Sequence, residues 1–168
     1  MNFSDRKIAK IKALHAMSIN ASTMSTCKFT HVGCVITTNE FKPVSFGYNG
    51  TVSGHKHCCD MDMTRDEHVA FSDQYEVHAE MNAIIQGDRN LMKDGYSFTT
   101  ISPCFNCMKH LMSAGVNFSF SGDIYWRYKE DKAKLIDYLD KINTLGFNLF
   151  IIVDNNIVEI NKYSKSFL

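Results

Sequence analysis

His78-Ala79-Glu80 and, further along the chain, Pro103-Cys104-Phe105-Asn106-Cys107 supply one imidazole, two thiols and a carboxylate. Imidazole nitrogen and thiolate sulfur are ligands zinc prefers, and three of them leave the fourth tetrahedral position for water. An open position marks a catalytic site, because zinc lowers the pKa of a bound water to about 7. Glu80 stands two residues from His78, close enough to serve that water as a proton carrier. Structural zinc ribbons also use cysteine pairs with a distant histidine, and there the metal shell is closed. Placement separates the two readings. His78 to Ile85 reads as the first turns of a helix closed by Gly87, and Pro103 is suited to start another helix at Cys104. Both half-motifs then lie at helix N-termini, where the positive end of the dipole favours thiolate over thiol. Cysteines at i and i+3 share one face and can chelate a single ion.

The elements that must hold these residues show as alternating periods. Ser4 is placed to cap a first helix in which Ile8, Ile11, Leu14 and Ser18 or Met17 recur at helical spacing. Val32 to Thr37 reads as a buried strand, with Pro43 to Phe46 returning beside it. Further strands are expected across Tyr96 to Ile101 and Asn117 to Phe120. A helix from Glu130 to Leu145 carries Leu135, Ile136, Leu139 and Ile142 on one side, and Gly146 ends it before a strand from Phe147 to Val153. This alternation predicts an α/β fold with a mixed sheet covered by helices. Between Thr51 and Val77 regular signals are weak, so a loop is expected that needs a staple or a function. Residues 155–168 read as a loosely ordered tail with room for one short element around Ile157 to Ile160.

The 168 residues, 45% of them hydrophobic, are enough for a single domain spanning 1–168 with a sizeable core and no need of disulfides. Met1 to Lys7 leads into an amphipathic stretch instead of an apolar signal segment, so the six cysteines are expected in a reducing cytoplasm. The longest apolar runs, such as Leu149 to Val153, are strand-sized, far short of the roughly 20 residues that span a bilayer. No membrane segment is expected. A formal net charge of zero argues against the broad basic surface with which proteins grip nucleic acid. A small phosphorylated substrate needs only a local positive pocket.

His-x-Glu followed by Pro-Cys-x-x-Cys is the known signature of zinc nucleobase deaminases. With Thr99 to Cys107, His78 to Ile84 and Gly47-Tyr48-Asn49-Gly50, the chain resembles the deoxycytidylate (dCMP) deaminase family from Cys27 to Tyr128, above all its bacteriophage members. The resemblance implies a cytidine-deaminase-like three-layer α/β/α sandwich with a central mixed sheet of about five strands. It also implies hydrolysis of dCMP to dUMP and ammonia, the step that feeds thymidylate synthesis. His78, Cys104 and Cys107 would hold the catalytic zinc, with Glu80 as general base and then general acid. The backbone around Ala79 and Ser102 would read the pyrimidine edge, and Asn49 would hold the sugar or phosphate side. Tyr125 matches an aromatic residue beside the substrate, although it and Trp126 equally suit a core or an interface. Arg127 is the candidate phosphate contact, because guanidinium binds phosphate bidentately; the alternative is an ordinary surface charge.

By the same resemblance Cys27, Cys58, His68 and Glu76 match a second, structural zinc site, whose four ligands close the shell and would staple the 51–77 segment. Cys59, His55 and His57 lie close enough in sequence to leave that assignment open, while Cys34 in mid-strand reads as a packed thiol. The resemblance further implies the regulation typical of phage and animal members, a hexamer activated by dCTP and inhibited by dTTP, each bound with Mg²⁺ near subunit interfaces. Gly47, Asn49, Gly50 and Arg89 fall at the matching effector positions. Thr51-Val52-Ser53-Gly54-His55 departs from the pattern by lacking the proline and paired glycines of the relatives, which puts that nucleotide loop in question. Three other readings remain: a zinc deaminase of different substrate, a catalytically silent deoxynucleotide-binding module, and a zinc-stabilised interaction protein. Glu80 speaks against the silent module, and an open metal position against the interaction protein.

Overall fold

The computed structural model describes residues 3–153 and 156–160. Helix α1 (Asp5–Ser22) is followed by strands β1 (Gly33–Thr37), β2 (Pro43–Tyr48) and β3 (Gly50–Thr51). A 3-10 turn (Cys58–Asp60) and helix α2 (Arg65–Tyr75) lead to β4 (Glu76–Val77), α3 (Ala79–Gln86) and the short α4 (Arg89–Met92). Then come β5 (Tyr96–Thr99), α5 (Phe105–Ser113), β6 (Phe118–Ser121), α6 (Trp126–Lys129), α7 (Lys132–Leu145), β7 (Asn148–Val153) and β8 (Asn156–Ile160). Six strands form one mixed sheet in the order β2-β1-β5-β6-β7-β8, while β3 and β4 pair separately. β5, β6 and β7 run parallel, and β1, β2 and β8 attach antiparallel to their neighbours.

The pleat sends alternate side chains to opposite faces, and helices cover both. On one face Val35, Phe98, Phe120 and Phe150 stand opposite one another across four adjacent strands. The three phenyl rings stack at 5.3 and 5.0 Å between centroids, and Ile11 and Leu14 of α1 close over the row. On the other face Cys34, Ile36, Leu149 and Ile151 meet Ala79 and Ala83 of α3, Met108 and Leu111 of α5, and Leu135, Leu139 and Ile142 of α7. Each fully buried Leu or Phe contributes about 1.5–3 kcal/mol, so these two layers hold the fold. The sheet thus carries one strand more than the five expected. The extra one is β8, in the stretch read as tail, paired with β7 from Leu149↔Ile160 to Val153↔Asn156. A strand that brief is defined by its partner and by burial of Ile160, more than by its own pattern. Residues 155 and 161–168 of that tail lie outside the described residues.

The 51–77 segment also contains more regular structure than the expected loop. Helix α2 opens with a capping box, in which Thr64 Oγ1 accepts from Glu67 N (3.3 Å) and Glu67 Oε2 accepts from Thr64 N (2.7 Å). Only His68 and Phe71 of this helix are buried, so its apolar stripe is too thin for periodicity to register. Thr64-Arg65-Asp66-Glu67 is nevertheless the sequence form of the box.

Two joints place the functional residues. At Gly47 the backbone of α3 presses on β2: an added Cβ would stand 2.3 Å from Ala79 O and 2.4 Å from Ala83 N. Ser45 Oγ donates to Ala83 O (2.7 Å) and Asn82 Nδ2 to Tyr48 O (2.8 Å), which fixes the helix against the strand. At the second joint buried Tyr138 of α7 donates its hydroxyl to Pro103 O (2.7 Å) and stacks on Tyr128, whose oxygen accepts from Phe105 N. Gly47→Ala is expected to lower unfolding stability by about 1–3 kcal/mol through overpacking, seen as a lower urea midpoint. An unchanged midpoint would mean that α3 can withdraw from β2 without cost. Tyr138→Phe is expected to lose about 1–3 kcal/mol in the same titration, because buried Pro103 O is left without its donor.

Candidate metal centres and active-site cleft

His78 is the N-cap of α3 and Cys104 the N-cap of α5, so the two helix starts face each other. His78 Nδ1 lies 3.3 Å from Cys107 Sγ and 3.6 Å from Cys104 Sγ. Tetrahedral zinc bonds of about 2.3 Å to sulfur and 2.05 Å to nitrogen imply an S···N separation of about 3.5 Å, so this donor set fits zinc. Cys104 Sγ accepts from Cys107 N (3.4 Å), the helix-start hydrogen bond expected of an anionic cap. The Cys107 hydrogen bond, followed by the interactions with His78, holds the Cys104 thiol down to about 4. His78 is raised to about 9, chiefly by its hydrogen bond to Cys104. Cys107 is pushed up by the same neighbour and by burial.

Glu80 lies in the first turn of α3 and is only 3% exposed. Burial, and then the charge of Cys104, raise its carboxyl above the usual carboxylate range. A raised carboxyl holds a proton more readily than an exposed one, as a proton carrier must. Cys34 is fully buried in the apolar layer under α3, as a packed thiol.

Cys27, Cys58, His68 and Glu76 form a second cluster, their ligand atoms all within 4.8 Å of one another. Cys27 Sγ is 3.2 Å from His68 Nε2, which is 3.3 Å from Glu76 Oε2. Glu76 Oε1 is buried without a hydrogen-bond partner, an expensive state for a carboxylate unless a cation satisfies it. Backbone N–H groups of Lys28 and Thr30 point at the two sulfurs. Burial pushes Cys27 up to about 11 and also raises Cys58, so metal binding would have to displace both protons. Cys59 is exposed beside Asp60, and His55 stacks on Tyr75 at 4.5 Å. His57 precedes the 3-10 turn, and none of these three belongs to the cluster.

One cleft of about 700 Å³, its open mouth included, is lined by residues of both clusters together with Glu80. Ala79 and Ser102 form buried wall; Ser102 Oγ accepts from Tyr125 N (2.9 Å) and Ser102 N donates to Asp123 O (2.7 Å). Asn49 also lines the cleft, but most of its side chain is engaged. Its Oδ1 accepts from Ser25 Oγ (2.7 Å) and Val32 N (2.8 Å), and its Nδ2 donates to Thr30 O (2.9 Å). One Asn49 N–H is left for a ligand. Tyr125 and Arg127 lie at the mouth with Trp126 and Arg65. Gly47, Gly50 and Arg89 are placed elsewhere: Gly47 under α3, Gly50 paired with Val77, and Arg89 donating to Ser113 O. Arg65, Tyr128 and Tyr138 are the participants that motif reading passes over. The capping box locates Arg65 on a helix, and Tyr138 falls on the Leu135, Leu139, Ile142 stripe.

Among the described residues no helix is long and apolar enough to cross a membrane. The deoxycytidylate deaminase of Enterobacteria phage T4 is 24% identical over 177 residues, covering 83% of this chain and 88% of that protein. The human deoxycytidylate deaminase is 29% identical over 128 residues, covering 73% of this chain and 68% of that one. The crystal structure of the dCMP deaminase from cyanophage S-TIM5, in complex with dCMP and dUMP, superposes with a TM-score of 0.59 at 25% identity. The overlap covers 89% of this chain and 98% of that one. A sequence profile of the cytidine and deoxycytidylate deaminase zinc-binding region matches residues 8–120, a span that includes His78, Glu80, Cys104 and Cys107. With both half-motifs inside that match and gathered at one cleft, the chain belongs to the cytidine and deoxycytidylate deaminase family.

Proposed function

We propose that the protein is a zinc-dependent dCMP deaminase that converts dCMP and water to dUMP and ammonia, supplying dUMP for thymidylate synthesis. The observation that carries this reading is buried Glu80 beside the three-donor His78, Cys104 and Cys107 cluster at one cleft. Zinc held by those three residues would supply the Lewis acidity that brings a water's pKa to about 7. Glu80 takes a proton from the attacking water and delivers it to N3 of cytosine, then takes the proton of the hydroxyl now on C4 and passes it to the amine as the C4–N bond breaks and the C4 carbonyl forms. The Ala79 and Ser102 backbone reads the pyrimidine edge, the spare Asn49 N–H meets the sugar side, Tyr125 packs beside the base, and Arg127 meets the phosphate. Cys27, Cys58, His68 and Glu76 hold a second, architectural zinc that staples the 51–77 insertion of a single domain spanning 1–168.

Regulation belongs to the same reading and rests on family resemblance. A hexamer in the cytoplasm, that of a host cell if the chain is phage-encoded, is activated by dCTP and inhibited by dTTP, each bound with Mg²⁺. Gly47, Asn49, Gly50 and Arg89 are the effector positions.

Ammonia release from zinc-loaded protein given dCMP, deoxycytidine, cytidine and CMP, with dCTP–Mg²⁺ or dTTP–Mg²⁺ added, is expected to show preference for dCMP, a rise with dCTP and a fall with dTTP. Zinc-loaded protein that turns over none of the four would overturn the proposal. Glu80→Gln is expected to keep its zinc and lose at least about 10²–10⁴-fold in kcat, the share general acid–base catalysis contributes. Metal analysis of Cys58→Ser should show one zinc equivalent fewer than the parent, with the Cys104 site still filled. An unchanged zinc content would remove Cys58 from the ligand set.

A further inference from the structure

We propose that Arg65, supplied by the 51–77 insertion, pairs with Arg127 to grip the substrate's 5′-phosphate, so that the insertion selects nucleotides over nucleosides. This rests on the deamination reading above and adds a phosphate-recognising residue to it. Arg65 is the first residue of α2 and Arg127 belongs to α6, so the two guanidinium groups come from separate elements to the mouth of one cleft. Both converge on Trp126: the guanidinium carbon of Arg65 lies 4.9 Å from the ring centroid and that of Arg127 5.3 Å. Arg127 also lies 5.9 Å from the Tyr125 ring.

Two cations brought to one indole add their positive charge at the cleft mouth, and the ring's π-system offsets that only partly. A carboxylate between them would neutralise that charge, but among the described residues neither arginine makes an ion pair; the ion pairs formed use lysines and His68. What remains is a doubly cationic, donor-rich mouth above Glu80 and His78, with aromatic rings holding the guanidinium planes in place. Planar forks that bond two oxygens at once are suited to a phosphate dianion. A nucleoside reaching the same floor would leave both guanidinium groups without an anion. The separation of roles follows from geometry: the floor handles the pyrimidine and the mouth handles the phosphate.

The test is Arg65→Gln in the full zinc-loaded chain, with Arg65→Lys and Arg127→Gln beside it. Steady-state kinetics on dCMP and deoxycytidine are combined with equilibrium dialysis of both ligands. Arg65→Gln is expected to lower kcat/KM for dCMP about 10–100-fold, mostly through KM, the range for a lost charge-assisted bond. Its deoxycytidine kcat/KM and its zinc content should stay within about twofold of the parent, since Arg65 is solvent-exposed and belongs to neither ligand cluster. Arg65→Lys, which keeps the charge without the fork, should recover part of the loss. Equal losses on both substrates would assign Arg65 a structural role, and an unchanged KM for dCMP would remove it from the phosphate site; either result overturns the proposal. If the parent protein deaminates neither ligand, the deamination reading fails. Dialysis still decides the role of Arg65, because a preference for dCMP over deoxycytidine that survives Arg65→Gln, or is absent in the parent, overturns it.

Discussion

The backbone of α3 lies so close to β2 that Gly47 has no room for a methyl group, and the positions of His78 and Glu80 on α3 depend on that contact. With α3 held there by Ser45 and Asn82, His78 must emerge at the end of the sheet where β5 delivers Cys104. Two helix N-termini then point at one another, each carrying unpaired N–H groups and about half a positive charge. Such an arrangement is unfavourable unless negative charge lies between them. The depressed Cys104 thiol supplies it, and the same arrangement prepares the three donors for a divalent cation. The glycine at 47 is therefore a condition of the metal centre at a distance, although it contributes no ligand.

The two metal clusters are one mechanical unit. Glu76 of the second cluster and His78 of the first are separated by a single residue, Val77, which β3 pins through Gly50. Immediately before β3, Asn49 binds the 25–32 segment, from which Cys27 projects, through both ends of its amide. A closed metal shell at Cys27, Cys58, His68 and Glu76 would tie the insertion, the Asn49 turn and the His78 strand together. The wall of the cleft and the staple of the insertion thus rest on the same few hydrogen bonds.

Charge is graded along the cleft. At the floor lie buried Glu80, with its raised carboxyl, and the Cys104 thiolate; at the mouth lie Arg65 and Arg127 on an aromatic platform. A chain with zero formal net charge therefore still presents a strongly local field. Such a field orients a small anion that is neutral at one end and doubly charged at the other, without the extended basic surface that polynucleotides require. The insertion helix contributes half of the cationic mouth, which gives the 51–77 segment a chemical role beyond its packing.

The proposed chemical residues were legible in the sequence because metal ligation and proton transfer depend on residue type and short spacing. His78, Glu80, Cys104 and Cys107 form such a pattern, and Pro103 and Gly87 mark the helices that carry it. The central strands were legible as well, since Val32 to Thr37 and Leu149 to Ile151 are largely apolar runs buried on both faces. Helix α2 was visible only through its capping box, because its apolar stripe is thin, and β8 depends on a partner strand for its definition. Tertiary structure alone decided that Gly47 is a spacer and that Arg65 reaches the same ring as Arg127. The physical reason is the same in each case. Spacing along a chain constrains contacts within one element, whereas the direction of a side chain and the gap between two backbones are set by how separate elements pack.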